Sequence, residues 1–279
     1  MSITVKPVTF MNPSGHRLFG MYHLPEHSTK ETAVVILNPG LKSRVAPHRL
    51  YVKMAARFCE LGYPVLRFDP HGVGDSEGVI EQNLAADFYG TVQVGRFVAD
   101  TRSAMDWMEK ECSISRFVLA GLCGGAITGL LAGAVDKRVD ALIALGIPVF
   151  LESADIDQAR YMTTGQLTEL RRSYLEKLRD IRSWLRLLTM QSDYRLIFRS
   201  VVRPRLKKMG RSAVSDGDGG QRVIPPAHNN GNLNPHFPAA FHQMASTRKV
   251  LMVFSESDRL YWEFEEKYLP LYPEDFRKL

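Results

Sequence analysis

Cysteine is scarce in this 279-residue chain: Cys59, Cys112 and Cys123 are the whole set, and no two form a Cys-x-x-Cys pair. An odd, dispersed set excludes a disulfide framework and a structural zinc site. It suits a reducing compartment, so the cytoplasm is the expected location. Long apolar runs are also missing. No stretch reaches 18 apolar residues, and the opening MSITVKPVTF lacks an apolar core, so neither a membrane span nor a signal peptide is expected. The chain has no phosphate loop of the form G-x-x-x-x-G-K-[ST]. The glycine-rich DPHGVGDSEG at 69–78 therefore reads as a tight structural loop, not a nucleotide site. Neither a cofactor nor a metal is implied.

What is present is a core-forming composition. Hydrophobic residues make up 45% and charged residues 24%, enough for one sizeable core with a smaller appended unit. The formal net charge is +6, but the basic residues concentrate between Arg171 and Lys208, in leucine-rich, helix-like sequence. That distribution argues against a nucleic-acid partner. Arg171, Arg172, Arg179 and Arg186 suit either a solvated helix face or an anionic group on a small substrate.

Along the chain, 4–10 and 17–24 read as a hairpin turning at Pro13, Ser14 and Gly15. AVVILNPG (33–40) reads as a strand buried on both faces, continuous rather than alternating in hydrophobicity; PVLRFD (64–69) and RFVLAG (116–121) read as further strands, ALIALG (141–146) as one more buried strand, and KVLMVFSESD (249–258) carries a strand over Val250–Phe254. Helical spacing predicts helices over about 48–61, 94–110 and 124–135. Strands alternating with helices mean α/β, with right-handed crossovers and a mostly parallel sheet. The rhythm breaks near 148 and resumes at 249. The expected organisation is therefore a first core part at 1–148, a helical cap with a flexible loop at 149–247, and a second core part at 248–279. An insertion at the end of a parallel strand lies on the side where such sheets carry their sites.

The chemistry centres on GLCGGAITG, residues 121–129. Cys123 is either a small buried filler or a nucleophile on a sharp strand-to-helix turn. The second reading explains the flanking glycines, which keep side chains away from the turn. The helix N-terminus then offers amide donors and a partial positive charge, which lowers a thiol pKa. NPGLKS (38–43) leaves the neighbouring strand where a second oxyanion donor is needed, so the amides of Leu41 and Gly124 are the candidate pair. Asp258 follows the last strand, where an acid can orient a histidine or simply cap a helix.

NPG at 38–40, DPHGVGDSEG at 69–78, GLCGGA at 121–126 and SESD at 255–258 resemble the α/β-hydrolase superfamily. They look most like its lidded serine aminopeptidase and monoacylglycerol lipase group. The cysteine at the elbow resembles the dienelactone and exosortase-associated hydrolases. The resemblance implies an α/β-hydrolase fold, a mostly parallel sheet flanked by helices with a helical cap insertion. It also implies a cofactor-free hydrolase of esters or thioesters, with Cys123 as nucleophile, Asp258 as acid, and Leu41 and Gly124 forming the oxyanion hole. The family histidine follows the acid, but none follows Asp258 here; a final strand, histidine and helix are expected beyond residue 279. His71 near the site rim, and His228, His236 and His242 in the insertion, are the alternatives. The expected partner is a small acyl ester or thioester. A non-catalytic binding protein on the same fold and an acyltransferase using the same cysteine remain the other readings.

Overall fold

The computed structural model of the protein describes residues 3–26, 31–152 and 232–276. These all belong to one unit, spanning 1–156 and 231–279. Seven strands form its sheet: β1 (Ile3–Met11), β2 (Arg17–Pro25), β3 (Thr32–Leu37), β4 (Val65–Asp69), β5 (Arg116–Leu122), β6 (Val139–Leu145) and β7 (Lys249–Val253). Their spatial order is β1-β2-β4-β3-β5-β6-β7. The β1–β2 hairpin is antiparallel, and β2 pairs antiparallel with β4; every pairing from β4 to β7 is parallel. Together with a sharp turn from β5 into a helix, this order is that of the α/β-hydrolase fold.

Sequence dictates most of these elements directly. In β3, Thr32-Ala-Val-Val-Ile-Leu37, alternate residues serve opposite faces: Val35 and Leu37 join the larger core, while Val34 and Ile36 join the smaller. That two-sided burial is why the strand reads as a continuous apolar run. Helix α1 (Leu50–Glu60) covers the second face with Tyr51, Ala55 and Cys59 buried at four-residue spacing. Helices α3 (Val98–Cys112) and α4 (Gly124–Val135) cover the first. All of α4 from Gly124 to Gly133 is buried, so it shows no polar face.

Helix α2 (Ala85–Gln93) has no counterpart in the sequence expectations. Its nine residues include Gly90, and Phe88 and Val92 are its buried hydrophobic residues, too short an apolar signal to read as a helix. Residues 232–247, grouped with the cap on sequence, carry α5 (Phe237–Thr247), which packs against α4: the Met244 sulfur would lie 2.8 Å from a Cβ on Gly133. The chain closes with α6 (Arg259–Glu263), a π-helical turn (Phe264–Tyr268) and α7 (Pro273–Phe276).

The described segments on either side of 153–231 are fastened together. Leu151 N–H donates to Asn232 O at 2.7 Å, and Asn234 N–H donates to Val149 O at 3.0 Å. The buried Gln93 side chain donates to Phe150 O and accepts from Glu152 N–H, each at 2.7 Å, while Asn234 Nδ2 donates to Gln93 O. The body of the expected cap, 153–231, lies outside the described residues, as do its arginines. Among the described residues, no helix is long and apolar enough to cross a membrane.

Register sets the strand ends level. Leu37 pairs with Gly121, Leu122 with Leu145, and Leu145 with Val253. The segments that follow β3, β5, β6 and β7 therefore emerge along one edge of the sheet, carrying Leu41, Cys123, Glu152 and Asp258.

Candidate active site

Cys123 caps the start of α4 with φ 52° and ψ −111°, a conformation that an L-residue holds only under constraint. Its surroundings supply that constraint. Leu122 N–H donates to Tyr51 Oη at 2.8 Å, and Cys123 N–H donates to Leu145 O at 2.9 Å. Cys123 O accepts from Ala126 and Ile127 at 3.0 and 3.2 Å. Holding one such residue costs about 1–3 kcal/mol, and these four bonds fix it from both flanking elements.

The glycines around it let three backbone segments meet. A Cβ on Gly125 would stand 2.2 Å from Leu37 O, and one on Gly121 would stand 2.4 Å from the Gly125 carbonyl carbon. A Cβ on Gly124 would stand 2.8 Å from Pro39 O. Strand β5, helix α4 and the loop after β3 are thus in backbone contact, bringing Gly124 beside the segment that carries Leu41.

That loop is shaped by Asn38, which is buried. Its side-chain oxygen accepts from Gly40 N–H at 2.8 Å, and its Nδ2 donates to Lys42 O. Farther on, Arg44 is anchored to Asp69, which is wholly buried. The Arg44 N–H donates to Asp69 Oδ1 at 2.5 Å, and its guanidinium pairs with Asp69 Oδ2 and, at 2.7 Å, with Asp75. Asp69 also accepts from Asp75 N–H at 3.3 Å. The DPHGVGDSEG motif is therefore a tight loop folded around one carboxylate that ties it to the loop after β3.

The thiol departs from the sequence expectation. A helix N-terminus should lower its pKa, but Cys123 is pushed up to about 11. Burial is the largest cause and the Glu152 carboxylate the next. The Gly124 amide and the Arg259 guanidinium pull the other way without prevailing. Glu152 and Arg259 form an ion pair, and Arg259 Nε lies 3.8 Å from the buried Glu263. Burial raises the Glu263 pKa, with Arg259 opposing it. This charged group was not singled out on sequence. Glu152 sits at the entry to a long insertion and Arg259 directly after Asp258, and neither stands in a recognisable motif.

Asp258 lies between β7 and α6. Its Oδ1 accepts from Leu260 N–H at 3.1 Å, so it caps α6; its Oδ2 would stand 3.5 Å from a Cβ on Gly146 at the end of β6. His71 meets a different carboxylate. Its Nδ1 lies 2.7 Å from Oδ2 of the buried Asp100, which also accepts the His71 N–H at 2.8 Å. His16 stacks on His71 at 5.7 Å. His236 precedes α5 and His242 lies within it, whereas His228 is outside the described residues.

No family model matches the chain. The uncharacterized protein PA2218 of Pseudomonas aeruginosa is 30% identical over 164 residues, covering 57% of this chain; the matched region spans 39% of that relative's length. A crystal structure of PA2218 is 20% identical, covering 99% of this chain and 92% of that one, with a TM-score of 0.48. The alpha/beta hydrolase GrgF from Penicillium sp. sh18 is 19% identical, covering 99% and 98%, with a TM-score of 0.49. The Pyrococcus furiosus esterase Pf2001 is 14% identical, covering 99% and 89%, with a TM-score of 0.48.

Proposed function

We propose that this protein is a hydrolase of carboxylic esters or thioesters that works through a covalent acyl–Cys123 intermediate. One observation carries the reading: Cys123 stands in a positive-φ elbow between β5 and α4, fixed by three backbone hydrogen bonds and by the bond from Leu122 N–H to the Tyr51 hydroxyl. A buried filler has no need of that backbone. A nucleophile does, because the turn presents the sulfur at the helix N-terminus, clear of the sheet.

The steps follow from the neighbours. A base takes the Sγ proton as sulfur attacks the acyl carbon. The carbonyl electrons move onto oxygen, where the Gly124 amide and a donor from the 38–41 loop hold the negative charge. The intermediate collapses, and the alcohol or thiol leaves with the proton from the base. Water, giving a proton to the base, then attacks the acyl carbon; the C–S bond breaks, the acid is released, and the sulfur takes the proton back as the thiol. The base is assigned to a histidine oriented by Asp258. With a thiol near pKa 11, proton removal must accompany attack. That favours thioesters and activated esters over amides, whose leaving groups are poorer.

The same raised pKa favours a second reading, a non-catalytic binding protein whose Cys123 stays protonated. Turnover of p-nitrophenyl acetate and of a short acyl thioester, by the parent and by Cys123→Ala, separates the two. The hydrolase reading expects Cys123→Ala to lose about 10³-fold or more in kcat. Equal rates in parent and variant, or no turnover by either, would reject it.

A further inference from the structure

Helix α2 lies against both halves of the proposed oxyanion site. Val92 Cγ1 would stand 3.1 Å from a Cβ on Gly124, beside the first donor. One turn earlier, Tyr89 lies against Gly40, next to the second. A Cβ on Gly40 would fall 2.3 Å from Tyr89 Cε1 and 3.1 Å from its hydroxyl oxygen. Gly40 has φ +130°, so both its backbone and the space Tyr89 occupies demand glycine. The 3-residue spacing of Tyr89 and Val92 puts them on one face of α2, and Phe88 packs edge-on against the tyrosine ring at 5.8 Å. The ring is thereby fixed, with its hydroxyl beside the 38–41 loop.

We propose that the Tyr89 hydroxyl is a side-chain donor of the oxyanion hole, standing between the Leu41 amide and the carbonyl oxygen of the bound acyl group. This rests on the hydrolase reading above and adds a catalytic residue to it. The Leu41 amide faces the phenol oxygen, and a thiolate at Cys123 would act on the same hydroxyl. An amide directed at that oxygen leaves the O–H proton free to point elsewhere, and the developing oxyanion is the group that needs it. Burial raises the phenol pKa, so Tyr89 remains a proton-bearing donor at neutral pH. No proton changes hands: the O–H bond persists, and a hydrogen bond to oxygen strengthens as the carbonyl becomes an alkoxide. Leu41 then acts through Tyr89 by polarising the phenol, and the phenol takes the place of the 38–41 loop donor at the oxyanion.

Tyr89→Phe removes one oxygen and keeps the ring against Gly40. Two rates are measured on parent and variant at one pH. One is single-turnover acylation by p-nitrophenyl acetate, followed by p-nitrophenolate release and by acetyl mass on the protein. The other is alkylation of Cys123 by iodoacetamide, a displacement at saturated carbon with no oxyanion. The expected result is acylation slower by about 10²-fold, with alkylation changed less than about twofold. Acylation at the parental rate, or faster because an obstructing hydroxyl has gone, would overturn the proposal while leaving Cys123 as nucleophile. Slowing of both reactions alike would also overturn it, since Tyr89 would then support thiol exposure or folding. Failure of the parent itself to take up acetyl would reject both the hydrolase reading and this one.

Discussion

Iodoacetamide alkylation of Cys123 should follow pH with a midpoint near 11, against 9.0 for an ordinary thiol. At pH 8.5 the thiolate fraction is then about 0.3% where an ordinary thiol would have about 24%, so alkylation should run roughly 75-fold slower. The ion pair beside the sulfur makes the test directional. Glu152→Gln removes a repelling charge and releases Arg259, which favours the thiolate; the profile should shift to lower pH. Arg259→Met removes the attraction and leaves Glu152 unpaired, so its profile should shift to higher pH. Each unit of displacement is a tenfold rate change on the rising limb. Quenched time points, digestion and mass spectrometry read each cysteine separately. Cys59, also pushed to about 11 but by burial alone, is the internal reference and should be unmoved in both variants. Shifts of the same sign in the two variants, or a Cys123 midpoint near 9 in the parent, would refute the electrostatic account of this site.

Three further outcomes follow from the packing. Burial, with Arg67 beside it, lowers the His23 pKa from 6.5 to about 4, so the unfolded state takes up the proton first as pH falls. Stability present above pH 6.5 is therefore lost toward pH 4. The loss from this group is about 2 kcal/mol at pH 5, and His23→Gln should flatten that part of a urea-denaturation profile. Gly125→Ala places a Cβ 2.2 Å from the Leu37 carbonyl oxygen; the backbone must part, and equilibrium unfolding should show a loss of about 3 kcal/mol, the upper end for overpacking. Gln93→Ala leaves the Phe150 carbonyl and Glu152 amide without their partner, at about 1–3 kcal/mol. Hydrogen exchange should show Leu151 and Asn234 amides losing protection while β5 keeps its own; uniform loss would mean that the latch is not local.

How much of this was legible in sequence divides along physical lines. Strands β3 to β6 and helix α4 were readable because burial writes itself as apolar runs, as in AVVIL and FVLA; β7, at the sheet edge, is equally apolar in sequence, yet its residues are half-buried or exposed. The elbow was readable because tight backbone contacts demand glycine at 121, 124 and 125. Helix α2 was not, since a short helix containing Gly90 has too little periodicity; with it went Tyr89 and Gln93. The direction of the Cys123 shift was also hidden. The helix N-terminus that lowers it is a local feature, while burial comes from the packed fold and the repelling charge from Glu152, 29 positions away. Asp258 lies beyond β7, and the role the structure gives its carboxylate is the alternative weighed for it, capping a helix.

The central claim is that Cys123 accepts an acyl group. Intact-protein mass spectrometry after brief exposure to p-nitrophenyl acetate tests it directly, with Cys123→Ala treated in parallel and peptide mapping to locate the label. The account predicts one acetyl on Cys123 of the parent, absent from the variant and declining with time as water attacks. Acetyl distributed equally over parent and variant, or none on a reduced, folded parent, would contradict it.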